Sequence, residues 1–468
     1  MAAIATRGTI MNLNIEKSKL LPNKTNTLPF YQRISYALTD CGGNLLYVVI
    51  STYLLYFFTD VFGLSIAVAG TLLLATRLVD AVDAPIWGFL IDHTHTKWGQ
   101  SRPYFLWLCV PFAFFTWLTF TTPNLSGTWK IVYAVVTYIL AGVCYTGISA
   151  PITAILPNLS KSSEERVVLN SYRMVGGNIG VLFTNLVLPL VAVLGAGNDK
   201  KGFSLTLGIF GIVAIIMFLT AFVNLRENHV SELKSIPIKK SISAAKGNWP
   251  WILLVTANLI FWIGNNVRSS SLIYYFEYNL HMKYLVSIVG SLSVLIVAGM
   301  ILIPFMVKLS NKRSVMIGAL LVAAIANILL MVASHNVSAV IILYVIGSIG
   351  SGVACSMPFA MLADTVDFGE WKTGIRASGF LSSIGSAFCI KAGSGIGGFI
   401  PAQIMSSFGY VANKVQSTSS LFGIQFSFIW VPAMLFVLAT IPMIFYGKYE
   451  KGEAQISKEL EKRRTLHV

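Results

Sequence analysis

Apolar residues fall in long runs at about 34–59, 64–91, 104–122, 130–157, 170–196 and 202–225. After a polar stretch come six more, at about 250–277, 284–307, 314–334, 338–363, 376–408 and 422–447. A helix of about 20 apolar residues crosses a hydrocarbon core of ~30 Å, so each run predicts one transmembrane helix. The expected layout is an N-terminal tail (1–33), a six-helix bundle (34–225), a linker (226–249), a second six-helix bundle (250–447) and a C-terminal tail (448–468). The fold class is all-α and integral to the membrane.

Composition sharpens this reading. Of 468 residues, 55% are hydrophobic and only 11% charged, against roughly a quarter charged in soluble domains, which excludes a soluble multidomain enzyme. The net charge of +15 would suggest nucleic acid in a soluble chain. Here the positive residues sit in the gaps between apolar runs without a basic stripe interleaved with aromatics, so the partner is a lipid bilayer and not nucleic acid. Lys and Arg gather in the tails and alternate loops, leaving Lys130, Lys200, Lys201, Lys283 and Lys414 in the opposite loops. That asymmetry places both termini in the cytoplasm and the chain in the cytoplasmic membrane. The N-terminal tail has no short apolar region with a cleavage site, so the first run is expected to be a retained span. Five cysteines within apolar stretches, with no CxxC spacing, read as packing residues, and no cofactor or metal is expected.

Two bundles joined by a basic linker can rock around a site at mid-membrane. The segment Gly88–Asp92, followed by Lys97-Trp98-Gly99 and Arg102-Pro103, resembles the inner loop after the second helix in the major facilitator superfamily. Ionisable residues within spans carry the most functional information, because each costs a few kcal/mol unless it faces water or a partner. In the second span Arg77, Asp80 and Asp83 follow one another at three-residue spacing, putting Arg77 and Asp80 on one face. This reads either as an internal ion pair or as a cation or proton site. Polar stripes mark other spans: Asp40, Asn44 and Tyr47 on the first; Thr146, Ser149 and Thr153 on the fourth; Asn258, Trp262, Asn265 and Ser269, with Arg268 beside them, on the seventh; Ser383 and Lys391 on the eleventh. Stripes in both halves suit a hydrated cavity for a polyhydroxylated ligand, with Tyr47 or Trp262 covering an apolar sugar face.

The sequence Phe58-Thr-Asp60-Val-Phe-Gly63, then Arg77-Leu-Val-Asp80-Ala-Val-Asp83-Ala-Pro85, and in the second half Ala363-Asp364-Thr-Val-Asp367-Phe-Gly369-Glu370-Trp-Lys372-Thr-Gly374-Ile-Arg376, resembles the glycoside–pentoside–hexuronide:cation symporters, the family of melibiose permease. The resemblance runs from about Ser35 to Tyr446 and implies the major facilitator fold. It also implies cation-driven sugar import by alternating access, with no bond of the substrate broken. By the same resemblance Asp80 is the main cation carboxylate and Thr146 a hydroxyl near it. Lys391, with Arg77, couples cation to sugar, and Arg173 belongs to the sugar pocket. The chain departs from melibiose permease in having Asn44 and Ser149 where that protein has sugar-binding carboxylates, and Thr153 where it has a stacking tryptophan. The second cation carboxylate is replaced by Ala84, with Asp83 one position earlier.

The expected substrate site is therefore Asp40, Asn44, Ser149, Thr153, Arg173, Asn265 and Arg268, and the three cations Arg173, Arg268 and Lys391 can accept a hexuronide carboxylate. Asp80, Thr146 and Asp83 form the cation site. A proton needs one carboxylate whereas sodium prefers several converging oxygens, so H⁺ is expected over Na⁺. Asp92 and Arg102 in one inner loop, and Asp364, Asp367, Glu370, Lys372 and Arg376 in another, can bridge the halves as a gate when the cavity faces outward. A monomer is expected. A lipid or lysolipid carrier on the same fold is disfavoured by the polar stripes. A membrane enzyme is disfavoured because the only close His pair, His93 and His95, reads as a solvated turn.

Overall fold

The computed structural model describes residues 28–160, 163–227, 245–292, 295–333, 336–374 and 378–466. These form twelve membrane-crossing rods and one terminal helix. In the first half the rods are α1 (Phe30–Tyr56 with a π-helical turn Phe57–Val61), α2 (Ile66–His93), α3 (Arg102–Thr119), α4 (Thr128–Ala154, then Leu156–Leu159), α5 (Ser163–Thr184 and Val187–Gly195) and α6 (Asp199–Asn224). In the second half they are α7 (Trp249–Tyr274 with a π turn Tyr275–Asn279), α8 (Leu285–Leu292 and Leu295–Leu309), α9 (Lys312–Ala333), α10 (Val337–Thr373), α11 (Ser378–Ser383, a π turn Ile384–Phe388, Cys389–Ser407) and α12 (Thr418–Gln425, a π turn Phe426–Trp430, Val431–Glu450). Helix α13 (Glu453–Leu466) follows. Among the described residues, eight helices are long and apolar enough to cross a membrane by themselves. Local capping sets the starts: Asn198, Asn248, Asn336 and Ser417 each accept a hydrogen bond from a backbone N–H of the first turn.

Helix approach is governed by small residues, as expected where lipid removes the hydrophobic drive between helices. Gly176 and Gly180 of α5, four apart, lie against the backbones of Ala37 and Cys41 in α1, where a Cβ would collide. Helix α11 carries glycines on two faces: Gly393 and Gly397 meet Trp262 and Asn266 of α7 within its own half, while Gly395 and Gly398 meet Arg77 and Leu73 of α2 in the other half. The α2–α11 seam is the most extensive contact between halves; the α5–α8 seam on the opposite side is thin.

With twelve crossings, both chain ends emerge on one side, called here the tail end. Burial differs between the two ends. At the far end one apolar core joins both halves, Phe57, Phe58 and Leu64 being continuous with Tyr275, Met405 and Phe428. Toward the tail end the second half has a separate core of its own, including Leu254, Met316, Met357 and Met443.

Two sequence expectations are corrected. The acidic motif Asp364–Lys372 is not a loop: α10 continues through it for another two to three turns to Thr373. The helix ends where Gly374 adopts φ +71°, a left-handed conformation that closes helices. The fifth rod begins at Ser163 rather than near 170, because its first turns are polar and carry no hydropathy signal. Of the linker, 228–244 lies outside the described residues.

Candidate functional site

Asp40 and Asn44 of α1 stand one turn apart against α5. Gly177 makes their placement possible, since a Cβ there would come within 2.8 Å of both Asp40 Oδ2 and Asn44 Nδ2. Arg173, one turn earlier on α5, acts electrostatically on Asp40, and its Nε has no hydrogen-bond partner. These three residues, joined as expected, offer an acceptor, an amide and a planar donor to hydroxyl groups. Ser149 and Thr153 of α4 are half-buried and exposed, and their hydroxyls turn back to Thr146 O and Ala150 O.

A second group lies where α2 and α4 face α11. Lys391 Nζ donates to Thr146 Oγ1 across the halves at 3.3 Å, and Arg77 Nη2 donates to Ser394 Oγ at 3.0 Å. Asp83 is buried; the side chain of Asp80 lies outside the described residues. Lys391 is thus tied to the first half through Thr146. Tyr47 is committed elsewhere: its ring stacks on Tyr145 with centroids 4.1 Å apart and lies under Arg77, so it is not the free aromatic face expected from sequence. Asn258 also departs from its stripe. It is fully buried and donates to Gly385 O at 2.7 Å, a carbonyl in the π turn of α11, and so ties helices together instead of lining the cavity.

Beyond these groups, toward the far end, a cavity of about 470 Å³ opens between α1 and α5 on one side and α7, α8 and α10 on the other. Asn265, Arg268, Ser269, Ser348 and Asn185 supply its polar lining, Val48 and Ile179 part of its apolar wall.

The far end is closed by bonds between the halves that the sequence did not reveal. Asp60, buried at the end of α1, accepts hydrogen bonds from Tyr278 and from Tyr410, the latter at 2.8 and 2.9 Å, while Asn413 Nδ2 reaches Asp60 O at 2.6 Å. Thr59 pairs with Tyr274 at 2.8 Å. Nearby, Lys283 of the second half bonds Tyr56 Oη at 2.6 Å and Asp199 at 3.2 Å. The matching π turns ending α1 and α7 present Asp60 and Tyr278 to one another. Asp60 carried a signal, an acid in an apolar setting at a span end, but its partners lie more than 200 residues away and share no pattern with it.

At the tail end several ion pairs lie within one half. Arg33 pairs bidentately with Glu165; Lys312 with Asp364 at 2.5 Å and Glu453 at 3.4 Å; Arg313 with Glu450 at 3.2 Å. Arg102 donates to Phe222 O at 2.6 Å. Glu227, unforeseen, accepts from the backbone N–H of Gln100, Ser101 and Arg102 and caps α3. Lys372 donates to Gly247 O. Asp367 and Glu370 lie on the extension of α10. The side chain of Asp92, and Arg376, lie outside the described residues. In this state, closed at the far end, the expected gate residues Arg102 and Asp364 are therefore tied into their own halves.

Residues 35–448 match the family model for MFS/sugar transport proteins. The chain is 41% identical over 445 residues to the isoprimeverose transporter of Lactiplantibacillus pentosus, covering 94% of this chain and 92% of that protein. It is 30% identical to the glucuronide carrier protein homolog of Escherichia coli (strain K12), covering 92% and 96%. Among solved structures, the nucleoside transporter NupG is similar in fold, with a TM-score of 0.59 at 15% identity, over 88% of this chain and 99% of that one. These are transporters, not enzymes.

Proposed function

The chain belongs to the MFS/sugar transport family, and from that premise we propose that it imports a glycoside of the isoprimeverose kind together with a proton across a cytoplasmic membrane, as a monomer, both termini in the cytoplasm. The observation that carries this reading is the bond from Lys391 to Thr146. It spans the two halves beside α2, the helix holding Asp80 and Asp83, so that a change at the oxygens around Thr146 is felt by both halves.

Asp40, Asn44 and Arg173 bind the sugar hydroxyls. Lys391 competes with the coupling ion for the oxygens around Thr146, so that loading that site frees the ammonium and loosens the halves. Asp80 takes the proton, since a single carboxylate suffices for H⁺ where sodium calls for converging oxygens, and Ala84 adds none. The alternation of access then consists in parting the far-end contacts around Asp60 while the tail end closes.

Purified protein in proteoliposomes tests this. Isoprimeverose accumulation is expected under an imposed pH gradient and not under a sodium gradient at constant pH. Asp80→Asn should lose accumulation while retaining counterflow. Sodium-driven uptake insensitive to a protonophore would overturn the choice of ion, and absence of any sugar flux would overturn the whole reading.

A further inference from the structure

Arg268 is 4% exposed, yet no carboxylate pairs with it among the described residues. Its guanidinium sits over the Tyr344 ring, Cζ 4.1 Å from the centroid, and Nη2 donates to Tyr344 O at 3.1 Å. Nε has no partner. A buried guanidinium left with an unused donor is costly, and this one borders the 470 Å³ cavity, a volume within the ~300–1,000 Å³ of small-molecule sites. Ser351, also lining the cavity, has a buried hydroxyl without a partner. The opposite wall, from α1 and α5, alternates apolar residues such as Val48, Ile179 and Leu182 with Thr52, Asn178 and Asn185. Polar side chains on both walls, set among apolar ones, fit a ring that carries both hydroxyls and C–H groups.

The chamber is distinct from the group formed by Asp40, Asn44 and Arg173. It begins one turn past Asn44 on α1, at Val48 and Thr52, and on α5 it runs from Val175, just past Arg173, to Asn185. Resting on the glycoside reading above, we infer that the substrate lies along this axis. The first sugar occupies the Asp40–Asn44–Arg173 group and the second unit enters the chamber, where Arg268 is the specificity residue, donating to two adjacent oxygens of that unit. Adjacent ring hydroxyls and a carboxylate both offer such a pair. The stacked, carbonyl-anchored guanidinium fixes the direction of its donors, so the chamber selects for oxygen placement and not merely for size.

Binding to detergent-purified protein tests this with four probes: methyl α-xyloside; isoprimeverose, a disaccharide; cyclohexylmethyl α-xyloside, which fills the chamber without oxygens; and a xyloside carrying a carboxylate on its aglycone. Wild type should prefer isoprimeverose to the cyclohexyl analogue. Arg268→Met should weaken isoprimeverose roughly thirty-fold or more while changing methyl α-xyloside less than about three-fold, erasing that preference. Ser351→Ala, a milder change that keeps the arginine stack, should weaken isoprimeverose by about five-fold with the same selectivity. If the carboxylate analogue outbinds isoprimeverose in wild type and loses most in Arg268→Met, the oxygen pair is an acid; the reverse order assigns a diol. Equal weakening of methyl α-xyloside and isoprimeverose in both variants would overturn the chamber and leave the transport reading intact. Failure of wild type to bind either sugar would overturn the transport reading itself.

Discussion

The two ends of the molecule are held by the same kinds of side chain in opposite ways. At the far end Asp60 gathers Tyr278, Tyr410 and Asn413 from the other half, and one apolar core runs across the junction. At the tail end Arg33–Glu165 and Lys312–Asp364 are internal staples, and the second half has a core to itself. A hydrogen bond within a half stiffens a body that moves as a unit, whereas one between halves weights the balance between states. The difference separates residues that set the conformational equilibrium from residues that keep each half rigid.

The largest effect is expected from Asp60→Ala. It removes the carboxyl that Tyr278 and Tyr410 bond across the halves, each such hydrogen bond worth about 0.5–1.5 kcal/mol net. Modification of a cysteine placed at Val48 by an impermeant maleimide added on the far side should rise on the order of ten- to a hundred-fold. Tyr410→Phe removes one donor while Tyr278 continues to hold Asp60, so the same labelling should rise only by about three- to ten-fold.

Asp364→Asn breaks a pair in which Lys312 is 34% exposed. Such a pair contributes about 1 kcal/mol or less, and because it lies within one half it should lower the melting temperature slightly and leave far-side labelling within about two-fold. A fall in labelling would instead give Asp364 a gate partner across the halves in the alternate state.

The smallest effect concerns α13. The hydrogen bond from Trp371 Nε1 to Glu459 at 2.7 Å, helped by Gln455, holds the Glu459 carboxyl below its ordinary range. A carboxyl with a depressed folded-state pKa contributes above its unfolded pKa, near 4.3. The docking of α13 should then be intact at neutral pH and weaken as pH falls from about 4 downward. The difference in emission between wild type and Trp371→Phe should track that loss and stay flat in Glu459→Gln.

What the sequence made legible followed from local physics. Runs of apolar residues gave the helices, and Asp40, Asn44, Lys391 and Thr146 were visible because polar atoms within a span stand out against lipid. The resemblance placed Arg173 among them, and Gly177 brings it alongside Asp40. The far-end closure was not legible: Tyr278 and Tyr410 are ordinary aromatics at span ends, where the interface favours them in any case, and only the packing of distant helices makes them partners of Asp60. Helix α10 was under-read for a related reason. Its last turns carry Asp364, Asp367, Glu370 and Lys372, which end a hydropathy run but do not end a helix. The role of Tyr47 was misjudged because its neighbour Tyr145 lies about 100 residues away.

Helix α11 has one more consequence for how the halves move. Its glycines set bare backbone against Trp262 and Asn266 on one side and Arg77 and Leu73 on the other. Where helices interlock ridge into groove, sliding one past the other lifts side chains out of their holes and strips many contacts of ~0.1–0.2 kcal/mol each. A smooth strip has little to lift. The α2–α11 seam can therefore behave as a bearing, carrying load between the halves with low friction, so that the tempo of transport is set by the release of polar ties at the rim and not by repacking along the axle.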